Sequence, residues 1–261
     1  IAPIKGHSFA LTLVDGLSSL EENILATLNS VFGSIPNFGG SAGDDELLAN
    51  THVYYKGRFQ NNAAVIVLIN TLCKFDVFST HHMVQGGEKL VVTRADSEQR
   101  RVYELNAEPA AVEYARAVGL TVEELNNMVF ALKPIGVRIG SEYYVRSIQR
   151  VHEDMSLTFY CAVENGIVMT ALDPVDILDD LKHEFRRINA ALGETRLVIG
   201  CDCFLRRVEL EHLGLKDKGS KILRDNKVIG FNTYGEQIGG MHINQTFTGV
   251  AIGSCKTNRQ D

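Results

Sequence analysis

The chain contains no apolar run long enough to cross a membrane. Its longest wholly apolar stretch is Ala63–Ile69, whereas a transmembrane helix needs about 20 such residues. We therefore predict a soluble protein without a membrane partner, in which Ala63–Ile69 is a buried strand at the centre of a sheet. No signal peptide precedes Ile1, so we expect a cytoplasmic location.

The sequence also lacks a basic stretch. The formal net charge is −6, and adjacent arginines occur only as the doublets Arg100-Arg101, Arg186-Arg187 and Arg206-Arg207. A nucleic-acid-binding protein needs a basic stripe or patch to neutralise phosphates. Nucleic acid is therefore not expected as a partner.

Cysteine is scarce and scattered. There are five cysteines, at Cys73, Cys161, Cys201, Cys203 and Cys255, an odd number that favours reduced, buried thiols over a disulfide framework. Cys201 and Cys203 form the one close pair. No second pair completes a four-ligand metal site, so we interpret them as small buried side chains.

Motifs of the common enzyme classes are missing. The sequence has no G-x-S-x-G, no H-E-x-x-H, no phosphate-binding G-x-x-x-x-G-K-[ST] and no G-x-G-x-x-G after a strand, each of which carries a defined chemistry. We predict a binding protein and not an enzyme.

The hydrophobic pattern predicts an α/β (α+β) fold of two mixed-sheet modules, with helices packed on the sheets. A strand–helix–strand–strand order occurs near both ends and suggests an internal duplication. Its segments are Ser8–Val14, Leu17–Phe32, Ile35–Ala42 and Ala63–Ile69, and then Arg196–Gly200, Leu205–Asp225, Val228–Thr233 and Gln245–Gly253. The module boundary is predicted near Leu132–Gly136, which gives modules of residues 1–132 and 133–261. Between the two repeated sets of segments, Asp173-Pro174 is predicted to cap a helix that ends at Leu192.

Two segments rich in glycine and acidic residues are predicted to be turns that bind a ligand. The first is Gly39–Asp45 (GGSAGDD), with Gly40, Ser41 and Asp44 as candidates. The second is Tyr234-Gly235-Glu236, with Tyr234, Glu236 and the nearby Asn244 as candidates. Backbone N–H groups of a glycine turn can hold a carboxylate, and aspartates can hold an amine, which together suit an amino acid. The alternative is a hydrogen-bonded network that only fixes each turn.

Motifs spread over the whole chain resemble the FIST family of sensory domains. They are, in order, Gly39–Asp45 (GGSAGDD), Glu104–Ala111 (ELNAEPAA), Tyr143–Arg146 (YYVR), Asp173–Asp176 (DPVD), Gly200–Cys203 (GCDC), Gly230–Gln237 (GFNTYGEQ) and His242–Thr246 (HINQT). The resemblance implies a FIST N-type module that the sequence enters partway, followed by a FIST C-type module. It also implies a signalling role with a small-molecule ligand, such as an amino acid in the wider family.

Within that family, GEQ at Gly235–Gln237 and INQTFTG at Ile243–Gly249 look most similar to the nitric oxide sensing (NosP) branch. This resemblance implies haem b as a cofactor and a histidine kinase or cyclic-di-GMP enzyme as the partner. His82 is then the first candidate for the ligand of the haem iron, followed by His81 and His242. Arg146 is a candidate partner for a haem propionate or for Glu236.

Three functions follow as hypotheses. The first is a haem-based nitric oxide sensor, the second a haem-free sensor of an amino acid or metabolite, and the third a scaffold that only binds proteins. A homodimer is compatible with each of them.

Overall fold

The structure is a computed structural model, and it describes residues 3–255. In chain order the strands are β1 Ser8–Asp15, β2 Asn37–Ala42, β3 Val53–Tyr55, β4 Arg58–Gln60, β5 Ala64–Asn70, β6 Cys73–Thr80, β7 Met83–Asp96, β8 Arg101–Leu105, β9 Glu108–Pro109, β10 Ile135–Ile139, β11 Glu142–Arg146, β12 Ile148–Val151, β13 Leu157–Phe159, β14 Val168–Pro174, β15 Leu197–Cys203, β16 Val228–Ile238, β17 Met241–Ile243 and β18 Phe247–Cys255. The helices are α1 Glu21–Phe32, α2 Ala110–Val118, α3 Asn127–Leu132, α4 Ile177–Leu192, α5 Phe204–His212 and α6 Lys216–Asp225, and a 3₁₀ turn lies at Val122–Glu124. The predicted α/β class is confirmed. None of the helices in the described part of the chain is long and apolar enough to span a bilayer.

The strands form two large sheets and one hairpin. The first sheet has the order β5-β1-β2-β16-β15-β18-β6, with β17 paired to β16. The second sheet has the order β11-β10-β14-β7-β8-β13-β12, with β9 paired to β8, and all its neighbours run antiparallel. Each sheet contains strands from both sides of residue 132. The division into two modules at that residue therefore stays a prediction about sequence segments.

The suggested duplication corresponds to a repeated unit in the first sheet. β1 and β2 are parallel and joined through α1, and β5 lies antiparallel on the outer side of β1. Likewise β15 and β16 are parallel and joined through α5 and α6, and β18 lies antiparallel on the outer side of β15. The two units meet where β2 and β16 pair antiparallel, so they are related by an approximate two-fold axis.

Each sheet has its own core. In the first sheet, α4 packs Leu181, Phe185 and Ile188 onto Phe78 and Phe247. The sheet curves around its opposite face. As a result, the ring centroids of Phe9 on β1 and Phe75 on β6 lie 4.9 Å apart. In the second sheet, a larger cluster places side chains of α2 and α3 against the strands, including Leu90, Val102, Tyr114, Phe130 and Met169.

Three expectations about local structure are corrected. Ala63–Ile69 corresponds to β5, which is an edge strand and not a central one. Helix α4 is capped by Asp176, whose carboxylate accepts the N–H groups of Leu178 and Asp179, while Asp173 and Pro174 end β14. Cys73 and Cys255 are directly opposite on β6 and β18 and form a disulfide, so these two are not reduced thiols. Disulfides persist mainly in oxidising compartments, and the cytoplasmic location stays a prediction.

Candidate functional site

The two glycine-rich segments lie side by side at the centre of the first sheet. Gly39–Ala42 belongs to β2 and Tyr234–Glu236 to β16, and Gly40 pairs with Glu236. The prediction that they are turns is wrong for Gly39–Ala42 and for Tyr234–Glu236, which are strands whose backbones approach closely, whereas Gly43–Asp45 follows β2 and Asp45 does lie in a turn. A Cβ added to Gly40 would lie 2.4 Å from the Cγ2 of Thr233, so glycine at this position serves packing.

The polar side chains of this central region bond to other protein atoms. Glu236 is fully buried, and its carboxyl accepts both the N–H (3.1 Å) and the hydroxyl (2.8 Å) of Thr246. Asn244 accepts the N–H of Ser147 at 3.1 Å, and Ser41 donates to Glu21 at 3.1 Å. Burial raises the pKa of Glu236 to about 8 although its hydrogen bonds lower it. As ligand-binding residues these side chains stay predictions, and in this structure they fix the sheet.

His82, the first candidate for a haem ligand, is buried with both ring nitrogens engaged. Its Nδ1 accepts from the Nη1 of Arg206 at 3.0 Å, and its Nε2 donates to Glu209 at 2.8 Å. Arg206 is itself buried and pairs with Asp202 at 2.7 Å. This is an internal ionic cluster without room for an iron atom on the imidazole.

His242 and Arg146 are held at the contact between the sheets. The Nδ1 of His242 lies 3.0 Å from the carboxylate of Glu22, and its Nε2 packs on Gly235, where an added Cβ would lie 2.1 Å away. Arg146 donates to the backbone carbonyl of His242 at 3.2 Å. Within residues 3–255, no hydrogen bond or ion pair joins Arg146 to Glu236.

Of the three candidate histidines, His81 is the one that is not fully buried. It lines a cavity of about 430 Å³ between the sheets, together with Tyr143, Tyr144 and Met241. Burial lowers the pKa of His81, so the ring is neutral at pH 7. Its Nδ1 accepts the N–H of Met83 at 3.3 Å, which places the proton on Nε2.

These arrangements decide whether haem fits. An axial histidine must present a ring-nitrogen lone pair to the iron. The lone pair of His82 is used by Arg206, that of His81 by Met83, and that of His242 faces Gly235. The three candidate histidines therefore do not fit a haem iron as they stand.

A buried ionic cluster joins the two sheets. The Nη2 of Arg100 lies 2.6 Å from the carboxylates of both Glu21 and Glu22, and its Nη1 donates to the carbonyl of Tyr160 at 2.7 Å. Burial opposes ionisation of Glu22, but His242 and Arg100 hold its pKa far below the usual range. Glu21, Glu22 and His242 lie close enough to hold a cation, but Arg100 already supplies the positive charge there.

Arg100 also lines a second cavity, of about 240 Å³, which we call the arginine cavity. It is lined by Gly16, Leu17, Ser19, Gln99, Arg100, Arg101, Gln149, Arg150, His152, Thr158, Phe159 and Tyr160. The lining contains three arginines and no carboxylate. Arg101 is paired with Asp154 at 2.9 Å, whereas Arg150 is an exposed residue of β12 whose guanidinium makes no hydrogen bond or ion pair with any described residue. Burial and the charges of Arg101 and Arg150 lower the pKa of His152.

An aromatic contact connects this cavity to the central region. Tyr160 lines the cavity, and its ring centroid lies 5.7 Å from that of Tyr234. The hydroxyl of Tyr234 donates to the carboxylate of Asp44 and accepts the N–H of Leu48 at 3.3 Å. A change at the cavity can therefore reach the exposed loop after β2.

Sequence reasoning did not identify the arginine cavity. Arg100 and Arg101 were noted only as a doublet, and Arg150 was not singled out. They meet because β13 pairs with both β8 and β12, and no local pattern encodes that pairing.

Comparison with known families covers nearly the whole chain. The FIST N domain profile matches residues 4–108, and the FIST C domain profile matches residues 110–239. An uncharacterized protein of Methanocaldococcus jannaschii is 27% identical over 266 residues, which cover 88% of this chain and 51% of that protein. The chain thus spans about half the length of this relative. No solved structure matches the present chain.

Proposed function

The chain belongs to the FIST family, whose domains are sensory domains of signal-transduction proteins, and we propose that it senses a small carboxylate metabolite in the arginine cavity. An amino acid is the simplest ligand of this class. We propose a binding role without catalysis, in a cytoplasmic signalling protein.

The observation that carries the proposal is the unbalanced charge of the cavity. Arg150 has no carboxylate partner among the described residues, and the lining offers further donors from Gln99, Gln149 and Arg101. Arginine binds carboxylates through two parallel hydrogen bonds. A volume of about 240 Å³ lies below the roughly 300–1,000 Å³ of sites for drug-sized molecules, so the ligand is small.

The response follows from the position of the cavity between the sheets. A ligand that binds one arrangement of the sheets more tightly than another shifts the population between them. Through Tyr160 and Tyr234 that shift changes the loop containing Asp44, which is exposed to a partner. Resemblance to the nitric oxide sensing branch supports a histidine kinase or a cyclic-di-GMP enzyme as that partner.

A thermal-shift screen with amino acids and dicarboxylates tests the proposal. A ligand present at 100 times its Kd stabilises the native state by about 2.7 kcal/mol, so we expect a rise of several degrees in Tm. Arg150→Gln should raise the Kd of the ligand at least about tenfold, because the substitution removes the unpaired positive charge.

Arg186→Gln is the matched control, since Arg186 lies on α4 and lines a different surface. Its ligand-induced shift should equal that of the unmodified protein. If no carboxylate raises Tm, or if Arg150→Gln responds fully, the proposal is wrong.

A haem-based nitric oxide sensor is a second proposal, supported by the family resemblance and by the larger cavity beside His81. It requires His81 to lose its bond to Met83, so that the imidazole can bind iron. Expression with haem supply should then give a Soret band that shifts with nitric oxide and disappears in His81→Ala but not in His82→Ala. A colourless protein would rule out this proposal without affecting the first.

A further inference from the structure

The outer backbone edge of strand β5 between Ala64 and Leu68 has no hydrogen-bonding partner among the described residues. The carbonyl of Ala63 accepts the N–H of Asp15 at 3.0 Å, so the alternate residues Val65 and Val67 bond to β1. Ala64, Ile66 and Leu68 therefore point their N–H and C=O groups away from β1. No described strand pairs with that side of β5.

The chemistry of this edge is that of an interface. The strand AVIVLIN carries no charge and no proline, and its register with β1 is continuous, without a bulge. Ile66 is 42%, Val67 42% and Leu68 51% exposed. Proteins normally protect a free edge with charges, prolines or bulges, and β5 has none of these.

An exposed aromatic hairpin extends the same surface. Tyr54, Tyr55 and Phe59 are 58%, 48% and 73% exposed, and they lie on β3 and β4. This hairpin and β5 enclose a cavity of about 230 Å³, so the two form one apolar surface. The exposed parts of these three rings add on the order of 300 Å² to the apolar area that each chain can bury at an interface. Large exposed apolar patches mark interaction sites.

The internal repeat indicates what covers the edge. The counterpart of β5 in the second repeat is β18, and the outer edge of β18 carries β6 as an antiparallel strand. Among the described strands, none occupies the corresponding position on the outer edge of β5. We infer that a second copy of the chain supplies it, by antiparallel pairing of β5 with β5 across a two-fold axis.

Symmetry and charge favour a second copy over an unrelated partner. A two-fold axis makes identical strands antiparallel, which is the polarity of the β18–β6 pair. Because β5 is uncharged, no like charges face each other across the axis. Pairing centred on Ile66 would form about six backbone hydrogen bonds and place Ala64 beside Leu68 of the other copy. This contact closes, so it yields a dimer and not a filament.

The oligomeric state tests the inference. In sedimentation velocity or light scattering, the unmodified protein should be a dimer, and Ile66→Lys should be a monomer with the same far-ultraviolet circular dichroism. Val31→Lys is the matched control, because Val31 is 74% exposed on α1 and away from the edge, and it should remain a dimer. If Ile66→Lys fails to fold, Leu68→Lys provides the same test at a half-exposed position.

Hydrogen exchange identifies the interface independently. The amides of Ile66 and Leu68 should exchange slowly in the unmodified protein and at least about tenfold faster in the lysine variant. A monomeric unmodified protein at about 100 μM, or a lysine variant that stays dimeric, would overturn the inference.

Discussion

At the scale of the residue, the partly buried carboxyl of Glu22 and the fully buried carboxyl of Glu236 show opposite behaviour. Glu22 lies beside Arg100 and His242, which hold its pKa low despite burial. Glu236 has no cationic partner among residues 3–255, and burial raises its pKa to about 8 although Thr233 and Thr246 donate to it. The environment and not the residue type therefore sets the charge.

Glu236→Gln should remove a pH dependence of stability. Between about pH 4.5 and 8 the unfolded chain has released a proton that folded Glu236 retains, so the unmodified protein loses stability as pH rises through this range. The variant does not titrate and keeps the hydrogen-bonding shape. Relative to the unmodified protein it should gain on the order of 3 kcal/mol between pH 5 and pH 8.

Urea unfolding at the two pH values measures this gain. Glu123→Gln, an exposed carboxyl on the 3₁₀ turn, serves as the control and should track the unmodified protein. An equal pH dependence for Glu236→Gln and the unmodified protein would mean that Glu236 is ionised in the fold.

Residue types were informative, but their partners were not. The sequence alone is compatible with His82 as a metal ligand. The structure shows instead that His82 is hydrogen-bonded to Glu209, which lies 127 positions away in the sequence. The same holds for Arg100, whose partners Glu21 and Glu22 lie on α1. Such contacts depend on strand order, which the sequence did not reveal.

At the scale of the element, periodicity predicted β1, α1 and α4 because each has a clear apolar stripe. It predicted a central position for β5, because an uninterrupted apolar run does not distinguish a central strand from an apolar edge strand. It also interpreted Gly39 and Gly40 as a turn. Their actual role is to let β2 pass close to its neighbours, and only strand pairing shows this.

Asp176→Ala should lower the free energy of unfolding by about 1 kcal/mol, because the N-cap carboxylate accepts two N–H groups of α4. Asp173→Ala is the matched control. Asp173 makes an exposed ion pair with Lys133 at 3.2 Å, which contributes well under about 1 kcal/mol. Equal losses in the two variants, measured by urea unfolding, would show that Asp176 does not act as the cap.

At the scale of the whole molecule, the internal repeat builds one sheet from both ends of the chain. The second sheet is built from the middle, and the arginine cavity lies where the two meet. Its lining comes from the loop after β1, the turn before β8, and β12 and β13. The family and the α/β class could be predicted from ordered motifs, whereas this site could not, because it exists only once the sheets have packed.

Hydrogen exchange with and without the best carboxylate from the thermal screen tests the central claim most directly. If the arginine cavity is the sensory site, amides of residues 97–101 and 149–160 should exchange more slowly with ligand, and this protection should disappear in Arg150→Gln. Protection confined to the cavity beside His81, or protection at residues 97–101 and 149–160 that persists in Arg150→Gln, would contradict the account.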